Sequence, residues 1–598
     1  METVKKRSEL EKKDTWDLES MYATDALWEE DCGKVEQMLE EFQAFQGTLG
    51  TSPAHLKEAL DRYYQMACIL DNVYVYAQQR RDQDTADTYY QQMAMRSEDL
   101  MVKVESGSSF MNPEILSLTQ EWVDRAMEEE EGLKFYERVL HEIFRMNAHT
   151  RSGEVEALLA DAADLGNAPS NIFRMLENAD MKYPKVKDEE GKEVDLTDSS
   201  LVPLLESKDR AVRKEAFETY YKVRDQYKNT FASIFSSNIK QAVFFAKARN
   251  YKTSRASFLD QGNIPESVYD NLIETVHKNL DSMYRYVRLR KKMLGVEELH
   301  MYDVYAPLVP ESGREYSFEE AKAMVAEGLK PMGEEYLSIL KEGFENRWID
   351  VYENEGKRGG AYSWGSYESH PFVLLNYRGN LDNVFTLAHE MGHSIHSYYS
   401  KKNQPFVYSG YKIFVAEVAS TCNEALLIHD LLEKTEDRNE RMILINHFLD
   451  KFKGTIYRQT MFAEFEYRMH KKAEEGKPLT AQEISRTYHE LNQLYFGPDM
   501  VSDEEIGLEW TRIPHFYTPF YVYQYATGFS AAIALSNRIL KEGEAAVEQY
   551  KKFLKGGCSL DPIDLLKVAG VDMTTPEPVQ SALDVFKELV EELEKMVG

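Results

Sequence analysis

Cysteine, long apolar runs and basic residues are all scarce in this chain of 598 residues. Its four cysteines are scattered, which excludes both a disulfide framework and the close cysteine spacing of a metal site. No window approaches the run of about 18 apolar residues that a membrane-spanning helix needs. The charged stretch Met1 to Asp14 also lacks the apolar core of a signal peptide. We therefore expect a cytoplasmic protein with reduced thiols and no membrane contact.

The charge balance excludes a further class of partner. Lys and Arg number 71 against 102 Asp and Glu, which gives a formal net charge of −31. Nucleic-acid binding draws much of its affinity from neutralised phosphates, so this acidity argues against a nucleic-acid partner. The one basic cluster, Arg285 to Lys292, alternates with apolar residues and is interpreted as the solvated face of a helix.

Hydrophobic residues, in contrast, are plentiful: 43% of the residues are hydrophobic and 12% are aromatic. A chain of this length exceeds the size of a single hydrophobic core, so two or more lobes are expected. Helical periodicity dominates, and a hairpin is predicted around the turn Asp188 to Gly191. The predicted division is an N-terminal helical lobe, residues 1–200, which ends in this hairpin, and a second domain, residues 201–598.

The segment from His389 to His393 has the pattern H-E-x-x-H within a predicted helix, residues 381–400, that Asp382 can cap. Two histidines four residues apart lie on one face of a helix, so both imidazoles can bind a single Zn²⁺. Glu390 then lies beside the open position of the metal. There it can act as general base and take a proton from metal-bound water. The motif favours a zinc peptidase.

A third zinc ligand must come from elsewhere. One known continuation of the motif requires glycine and histidine where this chain has His396 and Tyr399. Downstream, Glu417 interrupts an apolar helical run, where an ionised carboxylate is costly unless it is paired or bound to metal. Glu424 lies seven residues further on and shares that helix face. We assign Glu417 as the third ligand and Glu424 as the partner that orients His389. The alternative is an ordinary core helix with a salt-bridged glutamate.

With these residues the chain resembles the thimet-oligopeptidase-type metallopeptidases, and within them the bacterial oligoendopeptidase F branch. The blocks that carry the resemblance are His389 to His393, Phe414 to Glu424, Gly360 to Gly365, Pro371 to Tyr377, and His515 to Gly528. The resemblance implies a mainly α, two-lobed, clam-like molecule with a deep central channel. It also implies a small β-sheet next to the zinc helix, the predicted helix that carries His389 and His393. It also implies that residues 201–598 form the catalytic domain and that the enzyme cleaves short, unfolded peptides internally.

The block from Ile513 to Gly528 is unusually rich in tyrosine. A buried tyrosine hydroxyl needs a partner, and peptide hydrolysis needs hydrogen-bond donors for the developing oxyanion. The resemblance points to His515, Tyr521 and Tyr525 for this catalytic role, and which tyrosine stabilises the oxyanion stays open. The alternative is an aromatic helix face packed in the core.

Residues 372–377 form a predicted strand directly before the zinc helix. An edge strand in this position can hold an extended peptide by backbone pairing. The alternative for this segment is a purely structural hairpin.

The leading hypothesis is a zinc-dependent oligoendopeptidase with one zinc ion per chain and Glu390 as general base. A zinc carboxypeptidase is the alternative within catalysis; it would need a cation such as Arg378 or Arg512 for the terminal carboxylate of the substrate. A peptide-binding scaffold with a structural zinc is the alternative outside catalysis, but structural sites use four protein ligands and need no base. The same ligands accept Co²⁺ or Mn²⁺.

Overall fold

The computed structural model describes residues 4–309 and 313–598. Of these described residues, 73% are helical, which confirms the predicted mainly α fold class. The helices of the described residues are α1 Asp25–Gln43, α2 Pro53–Gln83, α3 Thr88–Ser108, α4 Met111–Ser117, α5 Gln120–Glu129, α6 Glu137–Arg145, α7 Gly153–Gly166, α8 Ala168–Met175, α9 Asp198–Leu205, α10 Arg210–Ala248, α11 Ser254–Asp260, α12 Glu266–Lys278, α13 Leu280–Leu294, α14 Phe318–Gly328, α15 Gly333–Glu345, α16 Leu381–Asn403, α17 Phe406–Ser409, α18 Ile413–Lys434, α19 Arg438–Phe452, α20 Arg458–Glu474, α21 Ala481–Phe496, α22 Tyr523–Glu542, α23 Glu544–Leu554, α24 Pro562–Val568 and α25 Glu577–Val597. The strands are β1 Val186–Lys187, β2 Glu193–Val194, β3 Leu299–His300, β4 Ile349–Asp350, β5 Tyr362–Trp364, β6 Phe372–Leu374 and β7 Met500–Val501.

Packing divides the chain into two compact units, each assembled from three stretches of sequence. The first unit comprises the residues up to Gly153, Arg314–Leu427 and Leu535–Gly570. The second comprises Glu154–Gly313, Ile428–Ala534 and Val571–Gly598. The length of the chain predicted more than one such unit. The division predicted between residues 200 and 201 follows the sequence rather than the packing, and it stays a prediction.

In the first unit a three-stranded sheet, in the order β4-β6-β5, is held by the N-terminal stretch of the chain. Phe372 of β6 is fully buried in a core that it shares with Trp16. The Trp16 indole donates a hydrogen bond to the carbonyl of Val373 at 2.7 Å. Arg7 binds the buried carboxylate of Asp350 on β4, with 2.8 Å between Nη1 and Oδ1. A buried carboxylate needs such a partner, so this ion pair fixes the N-terminal stretch to the sheet.

The prediction of an edge strand at residues 372–377 is wrong. Only Phe372–Leu374 form a strand, and this strand is central, because it pairs parallel with β4 on one side and antiparallel with β5 on the other. The two-residue strand β4 occupies the position that a peptide would need. An outer position of the sheet belongs instead to β5. Its Ser363 Oγ lies 2.8 Å from Ser394 Oγ on α16, so the predicted small sheet does lie next to that helix.

The core of the second unit forms around α10, a helix of 39 residues. The ring of Phe235 on α10 stacks on Phe465 of α20, with centroids 5.9 Å apart, and lies 5.8 Å from the ring of Trp510. Helix α19 continues through a π-helical turn, Lys453–Tyr457, into α20. The predicted hairpin also lies in this unit and is confirmed, with Val186 of β1 opposite Val194 of β2.

The basic cluster Arg285 to Lys292 lies on α13, as the periodicity predicted, but its interpretation as a solvated face is wrong for Arg290. This side chain is 2% exposed and donates to the carbonyl of Ala306 at 2.6 Å. Arg285 pairs with Glu591 and Glu594 on α25. Arg285 and Arg290 are thus paired or packed within the protein, whereas Arg288 of the same cluster is 63% exposed.

Among the described residues, no helix has the length and apolar character that a bilayer crossing requires. All four cysteines are free thiols, and Cys32 and Cys422 are buried.

Candidate metal centre

The H-E-x-x-H segment lies in the middle of α16. Asn380 caps the helix, because its side chain accepts a hydrogen bond from the backbone N–H of Asn383 at 2.8 Å. Asp382, which the sequence suggested as the cap, lies instead in the first turn. Leu387 and Ile395 are fully buried and fix the inner face of the helix.

The two histidines and Glu417 converge. Helical spacing brings the rings of His389 and His393 together, with centroids 4.8 Å apart. On α18, Glu417 Oε2 lies 3.4 Å from His389 Nε2 and 3.7 Å from His393 Nε2. One ligand atom from each of these three residues can be chosen so that all lie within 4.8 Å of one another. Their assignment as metal ligands remains a proposal, and their geometry is compatible with one ion.

A glycine sets the distance between α16 and α18. A Cβ at Gly392 would lie 2.5 Å from the Cα of Ser420 and 2.7 Å from the carbonyl oxygen of Ala419, so only glycine fits without movement. Near this contact, Asn423 Nδ2 donates to the carbonyl of Ala388 at 3.1 Å. The helices are thereby close enough for a glutamate on α18 to reach the histidines on α16.

His389 is held by carboxylates on both sides of its ring. Its Nδ1 lies 2.6 Å from Glu424 Oε1, and its Nε2 faces Glu417. Burial alone would lower the pKa of this imidazole, but hydrogen bonds to Glu417 and Glu424 raise it to about 10. A ring that donates its Nδ1 proton to Glu424 leaves Nε2 available to a metal, which is the usual arrangement of a histidine ligand.

Glu390 is more deeply buried than the three candidate metal ligands. It is 6% exposed, and its Oε2 has no hydrogen-bond partner in the described part of the chain. Burial raises the pKa of this carboxyl to about 7, although the nearby His389 opposes the shift. A donor set of two histidines and one glutamate, beside a carboxylate with an unused oxygen, is the set found at catalytic zinc ions. The residues present therefore fit a zinc ion.

His515, Tyr521 and Tyr525 form a second cluster, which belongs to the second unit. The Tyr525 hydroxyl lies 3.4 Å from His515 Nε2, and the rings of Tyr521 and Tyr525 are 5.4 Å apart. His515 is exposed and both tyrosines are half-buried, so these three side chains are not packed in the core. Their convergence with the residues of the first unit stays a prediction.

Glu466, which was not predicted from the sequence, holds the turn inside this cluster. Phe520 has a positive φ of 54°, which is unusual for a side chain of this kind, and its backbone N–H donates to Glu466 Oε1 at 2.7 Å. Glu466 is 1% exposed, and burial raises its pKa to about 8. The signal that could have revealed it is the one that revealed Glu417, a carboxylate within an apolar helical run.

Two family models match this chain. The model for peptidase family M3 matches residues 203–585, and the model described as Oligopeptidase F matches residues 114–183. Oligopeptidase PepF of Bacillus subtilis (strain 168) is 48% identical over 591 residues, which are 99% of this chain and 88% of the relative.

Solved structures agree with these matches. A crystal structure from Chlamydophila abortus has a TM-score of 0.93 at 36% identity and covers 99% of this chain and 100% of its own. The crystal structure of oligoendopeptidase-F from Enterococcus faecium has a TM-score of 0.76 at 39% identity and covers 96% of this chain and 99% of its own. The likeness therefore extends over nearly the whole chain.

Proposed function

This chain belongs to peptidase family M3 and is a metalloendopeptidase, and we propose that it uses one zinc ion to cleave short, unfolded peptides internally. One observation carries the proposal: His389, His393 and Glu417 converge beside Glu390, whose buried Oε2 has no hydrogen-bond partner in the described residues. A structural zinc site would have no use for that buried carboxylate.

Each residue of the centre has a role in this proposal. His389, His393 and Glu417 hold the zinc ion, and Glu424 keeps the His389 ring in place. When bound, zinc supplies a Lewis acid that polarises the scissile carbonyl and makes water more acidic. Glu390 accepts the proton of the attacking water and delivers it to the leaving amine. In the metal-free site, burial raises the pKa of this carboxyl towards neutral pH, which is the direction that a proton-transferring group requires.

His515, Tyr521 and Tyr525 remain the proposed donors to the oxyanion, and the supporting observation is that they are accessible rather than packed in the core. Glu466 would then act through Phe520 as a positioning residue for this cluster. The clam-like shape and the central channel also remain proposals that rest on the family resemblance.

Strand β5 is the proposed site of peptide pairing, in place of residues 372–377. It lies at an end of the sheet order and against α16. A groove of about 310 Å³ includes all three residues of β5 and is lined by Arg358, Gly359, Ala361, Tyr362, Ser363 and Trp364. The backbone N–H of Val373 donates to Trp348, on the β4 side of the sheet, so Phe372 and Leu374 face β5 and pair with Trp364 and Tyr362. The backbone groups of Ser363 therefore point to the other edge of β5, where we expect peptide pairing. Pairing through the backbone recognises extended peptides of varied sequence.

The carboxypeptidase alternative receives no support from Arg378, which is exposed and pairs with Glu353 at 3.0 Å. Arg512, its other candidate arginine, lines a cavity formed by residues of the second unit alone. We also propose a cytoplasmic location, which the free thiols support, and no nucleic-acid partner, which the acidic composition supports.

Cleavage-site mapping tests this function. A folded protein and one of its own short peptides are incubated with the enzyme, with and without a chelator, and the products are identified by mass spectrometry. We expect internal cuts in the peptide alone and no cuts once the metal is removed. Stepwise loss of C-terminal residues would favour the carboxypeptidase, and efficient cleavage of the folded protein would contradict the channel.

A further inference from the structure

A cavity of about 280 Å³ lies within the second unit. Its volume exceeds that needed by one water molecule more than tenfold. The lining is largely apolar and aromatic and includes Phe217, Tyr221, Tyr305 and Phe496. A concave, mostly apolar space with a few charged groups is the usual character of a small-molecule site.

The charged groups that line the cavity are three anions and three cations: Glu206, Asp450, Glu509, Lys453, Arg458 and Arg512. Lys453 binds Asp450, with 2.6 Å between Nζ and Oδ1. Arg458 binds Glu509 Oε1 at 2.7 Å, while the other oxygen of Glu509 accepts the hydroxyl of Tyr488. Two cations and two anions of the cavity wall are thus hydrogen-bonded to each other.

Among the described residues, Arg512 is the cation of the lining that forms no hydrogen bond to any of these anions. Its side chain is 13% exposed, and the only ion pair it forms among the described residues is with Glu509, at 3.7 Å, beyond hydrogen-bond length. Its Nε is buried and has no hydrogen-bond partner in the described part of the chain. A planar guanidinium whose N–H groups are not hydrogen-bonded to a protein carboxylate is suited to the carboxylate of a ligand, which it can bind through two parallel hydrogen bonds.

The backbone adds an independent observation. Lys453 and Gly454, which line the cavity, belong to the π-helical turn Lys453–Tyr457. A π-helical turn interrupts regular helix hydrogen bonding and is frequent at functional sites. Here the wider turn lies directly at the cavity wall.

We propose that this cavity is a binding site for a small apolar carboxylate, a free amino acid or a very short peptide, with Arg512 as its anchor. The carboxylate of the ligand accepts hydrogen bonds from Arg512. The apolar side chain of the ligand packs against Phe217, Tyr221 and Phe496. The site lies in the unit that lacks the candidate metal ligands, so the inference is independent of the proposed zinc chemistry.

Isothermal titration calorimetry of the full chain tests the proposal, with L-phenylalanine at millimolar concentration as the probe. L-phenylalaninamide, which lacks the carboxylate, and inorganic phosphate, which lacks the apolar group, are the comparison ligands. We expect phenylalanine to bind and the amide and phosphate to bind at least about tenfold more weakly, because each lacks one of the two contacts.

Two variants locate the site. Arg512→Gln removes the anchor, and Leu205→Phe fills the cavity while the arginine stays; each should weaken phenylalanine binding about tenfold or more. Arg288→Gln is the matched control, because Arg288 is an exposed arginine of the same unit. Circular dichroism checks that every variant is folded. No binding to the wild type, equal binding of the amide or of phosphate, or unchanged binding in both cavity variants would overturn the proposal.

Discussion

Replacing Gly392 with alanine should weaken metal binding, although Gly392 is not itself a candidate ligand. The added Cβ would lie 2.5 Å from the Cα of Ser420 and 2.7 Å from the carbonyl oxygen of Ala419. Carbon atoms pack at about 3.5–4.0 Å, so α16 and α18 must separate by about 1 Å. No side-chain rotation can relieve these contacts, because both partners are backbone atoms.

This separation increases the distance between the candidate metal ligands, because α18 carries Glu417 and α16 carries both histidines. Metal–ligand distances tolerate changes of only about 0.2 Å. Overpacking of this kind costs about 1–3 kcal/mol. If the strain is relieved at Glu417, the zinc dissociation constant should rise about 5- to 150-fold.

Competition with a chromophoric chelator measures the zinc affinity, and turnover at saturating zinc gives a second readout. Gly33→Ala is the matched control, because Gly33 lies inside helix α1 and nothing lies within 4 Å of its added Cβ. That control should bind zinc like the wild type and favour its helix by about 1 kcal/mol. Zinc affinity of Gly392→Ala within about twofold of the control would refute the reasoning.

Three further predictions concern the centre itself. Glu390→Gln should retain zinc and lose turnover by about 10²–10⁴-fold, because an amide cannot accept the proton of water. Metal analysis beside kinetics checks this, and turnover within about tenfold of the wild type would contradict the general-base role. Glu417→Ala should lose both zinc and activity, whereas Glu424→Ala should lower zinc affinity about 10–100-fold; the reverse pattern in a metal titration would exchange their roles. In the metal-free protein the pKa of His389 is about 10, so its stabilising contribution is complete below its ordinary pKa of 6.5 and is lost as the pH rises toward 10. Zinc must displace this proton, so zinc affinity should rise with pH across that window, and a flat pH profile would argue against His389 as a ligand.

The residues of the metal centre could be proposed from the sequence because their signals are local. The spacing of His389 and His393 is a property of a single helix, and Glu417 is conspicuous within its own apolar run. Glu466 carries the same kind of signal, but its partner is the backbone of Phe520, 54 residues away. Nothing in the sequence around Glu466 identifies that partner.

Pairing between distant segments was harder to predict. The strand at Phe372–Leu374 was correctly located, but its central position depends on β4, a strand of two residues with no alternating pattern. The burial of Arg290 likewise depends on carbonyl groups outside its own helix, at Asp303 and Ala306. Local composition predicts that an arginine is solvated, and only the tertiary structure supplies acceptors that allow its burial.

The two variable positions of the H-E-x-x-H segment are constrained by packing. Met391 is fully buried, and its Cε would lie 2.7 Å from a Cβ added at Gly343, so it fills the space towards α15. Gly392 allows the close approach of α18. Since a glutamate side chain spans only a few ångströms, Glu417 reaches the histidines only while that approach is maintained. The spacing of the histidines provides two ligands, and the glycine between them provides access to the third.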